Sequence, residues 1–365
     1  MSQIENGLHG IPERIPELDG LRGLAAVMVI LHHISQSYSF SAAGSILRLW
    51  LDVTHAGWIG VDVFFALSGF LITRILLATH THPHYYRNFF ARRVLRLAPP
   101  FLITLALVAL LVPGSGKFLV LCIFYLANFS TLFGIPMAYS PLWSLAVEEH
   151  FYLFWPWLVK FFSRRNLAAV GIFIVLATPP FRFYAQKFGF FLPYYSWFRF
   201  DGLMWGALLA LVVTSQRSSR RIIRIWSVAV GLVGALIFLV GAPLGAMGRS
   251  SLIGNTVVFG AVAMATTGLI GLTALGDLRL VWAPLRSRVA RFLGDISYWM
   301  YLFHVLVVDN TCKITIRILA ARHLTADWLI YMIIATTVLV LIIGTGAAVR
   351  RLVELPVLRL KSRFR

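Results

Sequence analysis

Apolar runs of membrane length recur along almost the whole chain, and they leave room for one class of fold. About ten can be drawn, at 21–38, 57–79, 97–113, 142–160, 167–180, 198–214, 223–242, 252–275, 292–310 and 327–349. A run near twenty residues is what an α-helix needs to cross a bilayer. Inside lipid every backbone polar group must be satisfied within its own segment, so such runs fold as helices. The expected architecture is all-α: a polytopic membrane helical bundle of about ten transmembrane helices. Only 13% of the residues are charged, against ~25% for a soluble domain.

A net charge of +19 would suggest nucleic acid as partner if the charges were spread over a soluble surface. Here they follow the loops. Of the 33 Lys and Arg, 24 fall on the side shared by both termini, among them 5 in 74–96 and 6 in 350–365. The positive-inside rule then places both termini in the cytoplasm, and no nucleic-acid partner is implied. An eleventh run, 118–135, would invert every later loop if it spanned. Gly114, Gly116 and Pro136 flank it, so it is expected to be a re-entrant or interfacial segment. No cleavable signal peptide is visible, because the first run continues past signal-peptide length with Arg22 at its start. The chain reads as a single integral-membrane domain, 1–365, with a cytoplasmic lead 1–20 and a basic cytoplasmic tail 350–365. Cys122 and Cys312 lie far apart in apolar surroundings and read as two buried thiols. No metal-ligand spacing surrounds either, and no metal is expected.

Ionisable residues within such runs are costly and mark function by default. Arg22 and His33 are eleven residues apart, which returns to within about 20° of one helix face some 16 Å further on. Asp62, among Gly, Val and Phe, is either a helix-terminal carboxylate or the partner of a buried cation. Ser68 and Gly69 read as close-packing residues. Arg92, Arg93 and Arg96 occupy adjacent faces of one helix. They suit either a multiply charged phosphate ligand or lipid headgroups. Ser144, Glu148 and Tyr152 form one polar stripe at i, i+4 and i+8. Glu148 could serve in acid–base chemistry or orient His33. The loop 181–199 is rich in aromatics, as an interfacial belt or a sugar platform would be. Arg199 and Asp201 follow, either paired or capping a helix. Ser297, Tyr301 and His304 share another face, with His304 either catalytic or a hydrogen-bonded packing residue.

Taken in order, these blocks resemble the acyltransferase-3 family of integral-membrane O-acyltransferases. The resemblance runs through Asp19-Gly20-Leu21-Arg22 with His33, Gly60 to Phe65, Ser68-Gly69-Phe70, Arg92-Arg93 with Arg96, and Trp143 to Tyr152. It continues in Arg199 with Asp201 and Gly206, in Ser297 to His304, and in Arg351 with Glu354 and Pro356. The family usually has Gln where His150 stands. The resemblance implies a bacterial inner-membrane enzyme with no bound cofactor. Acyl-CoA, most often acetyl-CoA, would be the donor substrate. The acceptor would be a hydroxyl of a carbohydrate or lipid-linked glycan, such as exopolysaccharide or O-antigen, with membrane lipid around both. His33 would be general base or transient acyl carrier, Glu148 its partner, and Arg22 a residue at the mouth of the path. Arg92, Arg93 and Arg96 would hold the donor's phosphates. Asp19, Asp62, Ser144, Tyr152, Arg199, Tyr301 and His304 would support them. A transporter or flippase of glycans or small solutes explains the spans and buried charges equally well, and a silent membrane sensor is a third possibility.

Overall fold

A computed structural model describes residues 11–12, 14–37, 44–190, 193–241, 251–321 and 326–359. Residues 1–10 of the expected lead, 191–192 of the aromatic loop and 360–365 of the basic tail lie outside the described residues. Among the described residues there are helices and turns and no strand. In chain order the helices are α1 (Pro16–Gln36), α2 (Ser45–His55), α3 (Ile59–Thr79), α4 (Tyr85–Leu111), α5 (Gly116–Ile123), α6 (Leu142–Phe161) and α7 (Arg164–Lys187). They continue with α8 (Phe200–Val213), α9 (Arg220–Gly241), α10 (Phe259–Leu275), α11 (Arg288–Ala321), α12 (Asp327–Val349) and α13 (Leu355–Leu358).

Among the described residues, seven helical segments are long and apolar enough to cross a membrane. The helices α6, α8 and α11 fall outside that set. The first carries Glu148, Glu149 and His150 in mid-helix, and α11 carries Asp295, His304 and Asp309, so the residues of chemical interest lower the hydropathy of their own helices. The third is short, at 14 residues. The run 118–135 does not form one helix. It breaks into α5, of 8 residues, and a 3₁₀ turn at Ala127–Phe133, with Tyr125 in the left-handed region at φ 56° between them. At 1.5 Å per residue α5 covers only about 12 Å, well short of a bilayer.

One further element, α2, lies between the runs drawn at 21–38 and 57–79. Helix α2 exposes Ile46, Leu49, Trp50 and Val53, an i, i+3, i+4, i+7 stripe. An 11-residue helix with one apolar face open fits a position in the membrane interface rather than across it.

The centre of the bundle depends on two close helix crossings. Without a hydrophobic driving force in lipid, small residues let backbones approach and maximise dispersion contact. Where α3 meets α8, a Cβ at Gly69 would fall on the Leu203 carbonyl and one at Gly206 on the Ala66 carbonyl. Where α1 meets α11, a Cβ at Gly294 would fall on the Asp19 carbonyl. Gly206→Val should therefore push α3 from α8 and cost at least 1–3 kcal/mol, read as a lowered melting temperature in detergent. Gly344→Val, with open space around its Cβ position, should leave that temperature unchanged.

Two buried ion pairs fasten the same region. Arg199 donates to Asp62 on α3 at 2.6 Å, and Arg182 of α7 donates to Asp201 of α8. Of the two readings of Arg199 and Asp201, pairing with each other gives way, because residues i and i+2 on a helical turn point to different faces. Each finds a partner on another helix. Asp62 has the buried-cation partner that was one of its two readings. Arg199 and Asp62 are 3% and 1% exposed, so removing one strands the other. Arg199→Ala should cost about 3–5 kcal/mol, and the double change Arg199→Met with Asp62→Asn should recover much of it. Thermal unfolding of the three proteins checks this. Cys122 and Cys312 are both buried free thiols.

Candidate active site

The helices α1, α3, α4, α6 and α11 enclose a cavity of about 830 Å³, within the size range of small-molecule and cofactor sites. The helical repeat orders its walls. Along α11 the wall runs through Asp295, Tyr298 and Tyr301, and along α6 through Tyr152, Glu148 and Ser144. The two rows meet where Ser144 and Tyr301 share a hydroxyl hydrogen bond of 2.5 Å. At the other end lie Arg14, Asp19, His82, Arg350 and Glu354. The described ends of the chain and the α3–α4 turn therefore gather at one end of the bundle. Asp295 ties this rim together, bonded to Arg350 at 2.7 Å and 3.7 Å from Arg14, while Arg14 holds Asp19 at 2.9 Å.

Six arginines line the cavity: besides Arg14 and Arg350 at the rim, they are Arg22, Arg92, Arg93 and Arg96. Arg22, Arg93 and Arg96 stand close enough for their charges to act on one another, with Glu354 opposing them. The guanidinium of Arg93 lies over the Tyr152 ring and 3.9 Å from Glu149. Like charges gathered in a sheltered cavity repel, and a polyanion entering among them relieves that repulsion. Planar guanidinium forks match phosphate oxygens two at a time.

The Glu148 carboxylate is held by two hydroxyls. Ser68 donates to Oε1 at 2.8 Å and Tyr152 donates to Oε2 at 2.9 Å. Sequence reading made Glu148 either an acid–base group or the orienting partner of His33 and gave Ser68 to helix packing. The structure adds a contact between the two, because one face of α6 turns toward α3, where Ser68 projects beside Gly69. Gly69 makes the close approach, and Ser68 supplies the hydrogen bond.

His33 lies beyond the lining, past Tyr301. Its Nδ1 is 2.9 Å from the Val29 carbonyl and 3.3 Å from Nε2 of His304. His304 is fully buried, and its Nδ1 is 2.6 Å from the Tyr301 carbonyl. A carbonyl oxygen only accepts, so both neutral rings carry hydrogen on Nδ1. Nε2 of His33 then holds the lone pair, the form needed in a base or nucleophile.

Of the residues singled out from sequence, Asp19, Arg22, Arg92, Arg93, Arg96, Ser144, Glu148, Tyr152 and Tyr301 line the cavity. His33 and His304 stand just past its closed end. Asp62 and Arg199 are not among its walls and serve as a clasp between helices. Sequence reading gave Ser68 to packing only and assigned no site role to Asp295, Tyr298 or Arg350, all of which line the cavity. Asp295 and Tyr298 sit six and three residues before Tyr301, so the face they share with it was a usable signal. Asp309, exposed on α11 and acting electrostatically on His33, was also missed.

A helical, multi-span architecture with a basic internal cavity, and imidazoles at its closed end, defines a membrane-embedded site rather than a surface one. The profile of the acyltransferase-3 family, described as an acyltransferase domain, matches residues 15–347, and the chain belongs to that family. It is similar to the peptidoglycan O-acetyltransferase OatA of Listeria monocytogenes, with 27% identity over 82% of this chain and 50% of that one. It is also similar to the O-acetyltransferase OatA of Staphylococcus aureus, with 31% identity over 45% of this chain and 28% of that one. The chain thus spans half or less of the length of these relatives. No solved structure matches it.

Proposed function

We propose that this protein is a multi-pass membrane O-acetyltransferase that takes acetyl groups from cytoplasmic acetyl-CoA to hydroxyls of a glycan. The observation that carries the reading is the cavity with six arginines at its wall, Arg22, Arg92, Arg93 and Arg96 among them, a setting suited to a donor with several phosphates. The relatives' names support O-acetylation of a cell-envelope glycan, with peptidoglycan as the first acceptor to try and exopolysaccharide or O-antigen next. The topology proposed is ten crossings with both termini cytoplasmic in a bacterial inner membrane, and 118–135 dipping in without crossing. The cavity rim then faces the cytoplasm, and the bias of 24 basic residues among 33 supports that orientation.

In this reading Arg92, Arg93 and Arg96 bind the donor's phosphates and Arg22 guides the acyl arm inward. Tyr301 and Ser144 bound the passage, and His33 either deprotonates the acceptor hydroxyl or carries the acyl group briefly. Glu148, held by Ser68 and Tyr152, balances the arginine charges. The test is purified protein in proteoliposomes with radiolabelled acetyl-CoA outside and an N-acetylglucosamine oligomer inside. Label is expected on the oligomer as an ester removed by mild base. Passage of the oligomer across the membrane without acetylation would overturn the reading in favour of transport.

A further inference from the structure

The group that the fold places against His33 is another imidazole. His304 brings its Nε2 to 3.3 Å from His33 Nδ1, with ring centroids 4.6 Å apart and planes at 73°. Its own Nδ1–H is taken by the Tyr301 carbonyl, one turn back on the same helix. The Nε2 lone pair of His304 therefore faces the N–H of His33, which it shares with the Val29 carbonyl at 2.9 Å. A packing histidine needs its donor satisfied, and the Tyr301 carbonyl already does that. The acceptor aimed at the neighbouring ring is additional, and it comes from 271 residues away in sequence. Other titratable groups near the pair are His32, with its ring 5.2 Å from that of His33, Tyr301, with its ring 5.6 Å from that of His304, and Asp309 on α11.

The geometry points to His304 as the proton-relay partner of His33, a positioning residue that acts through it. This rests on the acyl-transfer reading above. As the acceptor oxygen bonds to the acyl carbon, its proton passes to Nε2 of His33. The Nδ1 proton of His33 then moves to Nε2 of His304, so two rings share one positive charge. The C–S bond breaks and its electron pair leaves on the thiolate. Return of the proton from His304 resets His33, whose extra proton neutralises the thiolate. If His33 itself is acylated on Nε2, the C–S pair leaves on the thiolate and the same Nδ1 proton goes to His304, leaving a neutral acyl-imidazole. The acceptor oxygen then bonds to the acyl carbon as the C–N bond breaks, His304 returns its proton to Nδ1, and the acceptor's proton neutralises the thiolate. His33 is half-buried and His304 fully buried, so spreading the charge over both rings matters, because a cation lodged on one buried ring is costly.

Two measurements test this on the full chain. The first needs no turnover: in ¹⁵N-histidine protein, a scalar coupling across the hydrogen bond should join His33 Nδ1 to His304 Nε2. It should vanish in His304→Phe. Its absence from the unaltered protein overturns the dyad whether or not the chain transfers acetyl groups. The second is acetyl transfer to an N-acetylglucosamine tetramer in mixtures of light and heavy water. The unaltered protein should show a bowed dependence, with two protons in motion. His304→Phe should show a linear one, with kcat lowered about 100-fold and KM for acetyl-CoA within twofold. His304→Ala should regain at least tenfold with added imidazole. Full kcat in His304→Phe, or a slow variant that keeps the bowed dependence and no imidazole rescue in His304→Ala, would overturn the relay.

Discussion

His33→Ala should lower kcat for acetyl transfer by about 10²–10⁴-fold, the range for losing a positioned base, while the protein folds and binds donor as before. The expectation follows from where His33 sits. It lies past the Ser144–Tyr301 closure, away from the arginines that would hold the phosphates. Its Nδ1 is committed to Val29 and His304, which leaves the chemistry to Nε2. Coenzyme A should therefore raise the melting temperature of the variant as much as that of the parent, since a ligand stabilises through the state that it binds. A variant that also lost this thermal shift would place His33 in donor binding instead. Mass spectrometry of the parent incubated with donor alone separates the two routes: acetyl on the His33 peptide marks the carrier route, and its absence marks direct transfer.

Sequence fixes faces far better than it fixes partners. Arg22, Arg92, Arg93, Arg96, Ser144, Glu148, Tyr152 and Tyr301 were all legible, because helical spacing shows which side chains share a stripe and the scarcity of charge makes each one conspicuous. All eight line one cavity. What opposes each stripe depends on how helices distant in sequence cross. Ser68 meets Glu148 over a separation of 80 residues, Arg199 meets Asp62 over 137, and His304 meets His33 over 271. No local pattern encodes such pairings. They are set where Gly69, Gly206 and Gly294 let backbones touch. Helix α2 was missed for another reason. Its 11 residues are too few for a span, and its exposed apolar stripe carries meaning only beside a membrane surface.

Arg96→Met should raise KM for acetyl-CoA roughly 10- to 150-fold with little change in kcat, as loss of a charge-assisted hydrogen bond worth about 1.5–3 kcal/mol predicts. A change in KM alone marks binding that is equal in ground and transition states. The same substitution should not destabilise the protein without donor. Arg96 sits among the charges of Arg22 and Arg93 with Glu354 as the opposing carboxylate, so its removal relieves repulsion. Arg199→Ala should behave in the opposite way, because Arg199 has Asp62 at 2.6 Å and no place on the cavity wall. It should lose stability and leave KM unchanged in the fraction that folds. Melting curves with and without coenzyme A, at low and high salt, read both effects together. The thermal shift from coenzyme A should shrink in Arg96→Met and should fall with salt in the parent, since partly exposed charge pairs are screened. An Arg96→Met protein that melted lower without donor and kept the parent's KM would place Arg96 with the helix clasps and remove it from the donor site.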